Sequence, residues 1–156
     1  MIRLSDGTDL ADVGALGPGV DVKEVDWYLA CLDLGFKYRG HSISAEYFYR
    51  HLDDIDTTGG PPSRSSLNDR GGYLYGALNV VPNYLELIAK TGFVSGPYGS
   101  SEEYGGGLNW YLTGNRRQRL VFEVINYNGC PADNDVTPYQ AFHSGTVAQM
   151  EYYVQF

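Results

Sequence analysis

The stretch TVAQMEYYVQF (residues 146–156) carries the strongest apolar/polar alternation in the chain and ends it on an aromatic residue. Its even positions read Thr146, Ala148, Met150, Tyr152, Val154 and Phe156; its odd positions read Val147, Gln149, Glu151, Tyr153 and Gln155. A period of two marks a β-strand with one apolar and one largely polar face. Chain ends usually fray, so an end this committed to a strand is expected to pair into a sheet.

The same period recurs upstream. It predicts seven strands, at residues 24–38, 42–52, 71–81, 84–94, 104–112, 117–127 and 143–156. Arg39-Gly40-His41, Pro82-Asn83 and the run Thr113 to Arg116 read as tight turns, and residues 53–70, 95–103 and 128–141 as long polar loops. Residues 1–23 read as an outer loop segment ahead of the first strand. Strands of about ten residues, joined alternately by short turns and long loops, form the all-β pattern of an antiparallel transmembrane barrel. Helices compete for some segments, because Asp33/Lys37, Glu46/Arg50, Glu86/Lys90 and Arg119/Glu123 are spaced i,i+4. Glycines at 35, 71, 72, 76, 92 and 105–107, with Tyr, Phe, Val and Ile between them, favour strands.

Parity then sorts the side chains. One face collects Tyr28, Leu32, Leu34, Phe36, Tyr38, Ile43, Tyr47, Tyr49, Leu74, Leu78, Leu87, Phe93, Leu108, Trp110, Phe122 and Val124, with the even set of the last strand. The other collects Asp33, Lys37, Glu46, Arg50, Glu86, Lys90, Asn109, Arg119, Glu123, Gln149 and Glu151. A soluble or surface β-barrel binding module would turn the apolar face inward; a membrane barrel turns it to lipid and lines a wet lumen with the charges. Aromatic residues such as Tyr28, Tyr38, Tyr49, Tyr104 and Phe156 sit near predicted strand ends, as in the aromatic girdles of membrane barrels. That favours the membrane reading, with Met150, Tyr152, Val154 and Phe156 facing lipid.

Composition narrows the function. The formal net charge of −8 argues against nucleic acid as a partner, which needs a basic face. Cys31 and Cys130 match no zinc spacing and are expected to be free, and no apolar leader follows Met1. His51 beside Asp53 and Asp54, with Ser65 or Ser66 nearby, can be drawn as a triad, but no nucleophile elbow is present. The Gly-rich run Gly99 to Gly107 lacks the Lys-Ser/Thr of a phosphate-binding loop, and the Asp-rich loops lack the closing Glu of a calcium loop. No enzyme activity, cofactor or metal site is expected.

The blocks DLGFKYRG (33–40), AEYFYR (45–50), VVPNYLELIAKTG (80–92), EYGGGLNWYL (103–112) and the terminal VQF (154–156) resemble, in this order, the phosphate-selective porin O and P family of outer-membrane channels. The resemblance is to the C-terminal part of such a porin. It implies a trimeric, water-filled barrel of about 16 strands that passes small anions such as phosphate by passive diffusion. It also implies that terminal Phe156 is read by the barrel-assembly machinery. On that reading the seven strands and missing leader imply a truncated chain. The charges on the polar face, five acids against four bases, form no basic ladder for anions.

Overall fold

The structure, a computed structural model, describes residues 2–129 and 143–155. Seven strands form one antiparallel sheet in simple up-and-down order: β1 Asp21–Tyr38, β2 His41–Thr58, β3 Leu67–Val81, β4 Leu85–Gly96, β5 Gly99–Tyr111, β6 Gln118–Asn128 and β7 Gly145–Val154. No helix occurs among the described residues. Among the described residues, contacts between strands run only between sequence neighbours, so β1 and β7 are edge strands with no described partner beyond them and the sheet is not closed.

At one end the connections are tight. Arg39 and Gly40 both have positive φ (47° and 86°), as a two-residue hairpin requires when its twist must match the flanking strands. Asn83 (φ 66°) turns the β3–β4 connection, where Tyr84 N donates to Val81 O at 2.9 Å. At the opposite end two of the expected loops largely disappear. Residues 95–103 are not a loop: Ser95 pairs with Ser100 and Gly96 with Gly99, leaving only Pro97 and Tyr98 as the turn. Likewise β2 continues to Thr58 and β3 begins at Leu67, so residues 59–66 alone connect them. The reason is that these strands outrun their apolar band. Beyond it the regular alternation vanishes from the sequence, the few apolar residues left, Ile55 and Leu67 among them, pack on the N-terminal segment, and the backbone pairing continues regardless. The predicted loop 128–141 and Cys130 lie almost wholly outside the described residues.

The N-terminal segment is built of turns and packs on the sheet. Arg3 bridges to Asp9, and Leu10 N donates to Ile2 O at 2.9 Å, closing a compact turn. Leu4, Leu10, Leu16 and Val20 then pack on Leu52 of β2 and Leu67 of β3, all nearly fully buried. This is the largest buried apolar cluster among the described residues, and it caps the loop end of the sheet. Ser63 N donates to Leu16 O at 2.7 Å, and Tyr98 N to Ser5 Oγ at 3.2 Å, tying both neighbouring connections to the segment.

Candidate functional site

Register decides which side chains share a face, since directly paired residues point the same way. Asp33 pairs with Glu46, Arg50 with Asp69, Glu86 with Asn109, Lys90 with Gly105, Gly107 with Glu123, Glu123 with Gln149, Glu151 with Val121, Arg119 with Tyr153 and Lys37 with Ser42. All eleven polar-face residues expected from the sequence therefore lie on one side of the sheet. The other side carries Leu34–Ala45–Leu74, Leu78–Leu87–Leu108–Phe122–Met150 and Trp110–Leu120–Tyr152 as continuous cross-strand rows.

The two faces differ sharply in exposure. On the apolar side Leu32 is 71%, Met150 67% and Phe36 63% exposed, and no described element covers them. On the polar side Asn109 (4%) and Glu123 (9%) are buried although no other described strand packs over β5–β7 there. Side chains on this face shelter one another while those on the apolar face are splayed and exposed, as in a sheet curved with its charged face concave. Glycine supplies that curvature, because it lets neighbouring backbones close up. At Gly107 an added Cβ would overlap the Phe122 carbonyl oxygen and come within 2.9 Å of Glu123 Cα.

The same glycines organise the charges. Strands β4 and β6 lie two ladder spacings apart, about 9.5 Å, with β5 between them. Because β5 presents Gly105 and Gly107 on this face, Lys90 reaches across it to Glu123, Nζ to Oε1 at 2.9 Å. Gln149 Nε2 donates to the other Glu123 oxygen at 2.8 Å. Glu86 Oε2 accepts from Asn109 Nδ2 at 2.8 Å and from the Tyr111 hydroxyl at 3.0 Å. The Arg119 guanidinium lies 4.5 Å from the centre of the Tyr153 ring, and the Tyr153 hydroxyl donates to Glu151. Arg50 donates from Nε (3.1 Å) and Nη2 (2.6 Å) to Asp69, and from Nη2 to the Arg3 carbonyl oxygen at 2.6 Å.

Asp69, Glu103, Tyr75 and Tyr111 join this face unannounced. Asp69 and Glu103 fall in stretches read as loops. Tyr75 and Tyr111 do lie on the polar parity, but a tyrosine in an amphipathic strand gives no parity signal of its own. Conversely, Asp26, Asp53, Arg70 and Glu102 sit on the convex side, beyond the apolar rows at the loop end. Tyr28 and Tyr104 mark that boundary from within strands rather than at strand ends. There Tyr28 stacks on His51 (6.2 Å between centroids), whose Nδ1 lies 2.7 Å from Asn68 Oδ1. His51 thus belongs to the polar–aromatic border, 3.6 Å from Asp53. Cys31 is free, as expected, and its thiol donates to Glu46 Oε1 at 3.2 Å. With Asp33 these groups bring ligand atoms within 4.8 Å of one another, but exposed acids gather so without any ion. Met150, Tyr152 and Val154 share the convex side, while Phe156 lies outside the described residues.

Comparison with known proteins adds no family: no family model matches the chain, nor does any curated protein or solved structure.

Proposed function

We propose that this chain forms part of the wall of a water-filled outer-membrane β-barrel through which small hydrophilic solutes diffuse passively. The observation that carries the reading is the pairing of an uncovered convex apolar face with a concave charged one. In water, contiguous apolar surface of this extent is unstable on a monomer; in lipid it is the required exterior. Its height fits as well. Tyr28 to Tyr38 spans eleven residues, about 25 Å once a strand tilt of about 40° is allowed for, which matches the apolar band of a membrane barrel. The charged face then lines the lumen and filters solutes electrostatically, without catalysis. Its carboxylates, now joined by Asp69 and Glu103, outnumber Lys37, Arg50, Lys90 and Arg119, so these residues support a weakly cation-preferring wall rather than a phosphate filter. Trimer formation, and recognition of Phe156 by an assembly machinery, belong to the same proposal.

The two tryptophans test it, because they stand on opposite faces. Trp110 pairs with Leu85 and Leu120 on the convex side, and Trp27 with Leu52 on the concave side. In vesicles containing chain-brominated lipid, Trp27→Phe protein should lose its Trp110 emission to lipid quenching. Trp110→Phe protein should instead be quenched from the water by iodide. A soluble module with its apolar face inward gives a Trp110 that lipid does not quench, and that result rejects the proposal.

A further inference from the structure

One corner of the concave face departs from the rest. Trp27 and Leu29 project from β1 on the charged side, and both are more than half exposed (57% and 55%). Phe48 joins them from β2, its ring filling the space above side-chain-free Gly71. With the N-terminal segment they wall a cavity of about 640 Å³, inside the range of about 300–1,000 Å³ typical of small-molecule sites.

Charges of both signs border this apolar floor. The Arg3 guanidinium donates to the Gly7 carbonyl oxygen at 2.9 Å and has no carboxylate at ion-pair distance among the described residues. Glu46 accepts from the Cys31 thiol, has no cation at ion-pair distance among them, and stands directly opposite Asp33. Like charges facing each other across a ladder destabilise it unless a cation is shared. Arg50 borders the cavity too, but Asp69 and the Arg3 carbonyl oxygen occupy its guanidinium.

We infer that this cavity is a subsite for zwitterions with an apolar or aromatic side group, the size of an amino acid or dipeptide. Arg3 takes the carboxylate through a charge-assisted fork. Glu46, reinforced by Asp33, takes the ammonium. Trp27, Leu29 and Phe48 cover the side group. A solute of one sign satisfies only one end, and a zwitterion without a side group leaves the floor wet. The inference rests on the concave face being the wet one.

The test uses the full chain in lipid vesicles, with Trp110→Phe leaving Trp27 as the only indole. L-phenylalanine should change Trp27 emission saturably. 3-Phenylpropanoate and 2-phenylethylammonium, each keeping one charge, should need about tenfold more ligand, and glycine should give no response. Arg3→Gln should weaken L-phenylalanine about tenfold yet leave 2-phenylethylammonium unchanged; Glu46→Gln should do the converse with 3-phenylpropanoate. A misfolded variant would lose all three probes, so this crossed pattern separates recognition from scaffolding. Equal affinity for the three probes, or no saturable response, overturns the subsite. Lipid quenching of Trp110 in the Trp27→Phe protein, measured in vesicles with brominated chains, shows whether the wall reading stands or falls separately.

Discussion

Neighbouring residues of β7 should differ in their tolerance of charge. Met150 pairs with Phe122 on the convex side, midway between the border position Thr146 and Val154 near the turn end. In the proposed wall an arginine there sits near the bilayer midplane, where such a change costs about 2–4 kcal/mol. Gln149 pairs with Glu123 on the concave side and already donates to it at 2.8 Å. An arginine at 149 keeps that donor, adds a charge to it, and stays in water, so its cost should lie within about 0.5 kcal/mol of zero. The measurement is urea titration of the lipid-bound protein, followed through Trp110 emission. Met150→Arg should lower the midpoint by the larger amount at an unchanged slope. Equal costs at the two positions, or the greater cost at 149, would refute the assignment of faces.

Glycine on the two faces should likewise separate. Gly107→Val drives a side chain into the β6 backbone and blocks the path of Lys90, costing more than about 2 kcal/mol in the same titration; Gly76→Val, with nothing within 4 Å, should be tolerated. Lys90→Met strips the cation from Glu123, itself 9% exposed, and should cost about 1–3 kcal/mol, most of it recovered in the Lys90→Met/Glu123→Met double variant. Leu16→Ala empties a fully buried position under the N-terminal segment, at about 2–5 kcal/mol locally. Proteolysis of residues 2–20 should then accelerate while the circular dichroism of the sheet stays constant.

The strands were legible wherever one face is apolar and the other polar, because that contrast writes period two into the sequence. β7 and the turn ends of β1 and β2 follow the parity pattern closely. Legibility failed in two places for separate reasons. Above the band, from Asp53 to Thr58 and from Ser95 to Glu103, polar residues and glycine dominate and the isolated Ile55 and Tyr98 pack on the N-terminal segment, so paired backbone looks like loop. The N-terminal segment failed otherwise: Leu4, Leu10, Leu16 and Val20 have no regular spacing, and their partners Leu52 and Leu67 lie far along the chain. The polar-face residues were readable as a set, since parity alone assigns them. Their pairing was not. That Lys90 meets Glu123 depends on β5 offering Gly105 and Gly107 between them, which requires the register of three strands at once.

The sheet's edges constrain how such a wall can exist in a bilayer. β1 is exposed on both faces from Tyr28 to Tyr38, whereas β6, flanked on both sides, alternates buried and exposed. Edge backbone groups have no partner in hydrocarbon, and each unsatisfied group costs several kcal/mol. Over the ten or so residues that cross the band, that penalty exceeds what the apolar side chains of one strand recover, at about 1.5–3 kcal/mol for each large residue fully transferred. One copy of the seven strands, with two open edges, therefore enters a bilayer only when its edges are paired, as they can be by other copies in the same vesicle. The edge groups of β1 and β7 need further strands, from the same polypeptide or from other copies. The same requirement bears on the exposure of Trp27 and Leu29: a strand laid against β1 would shelter their flank while leaving their concave side open.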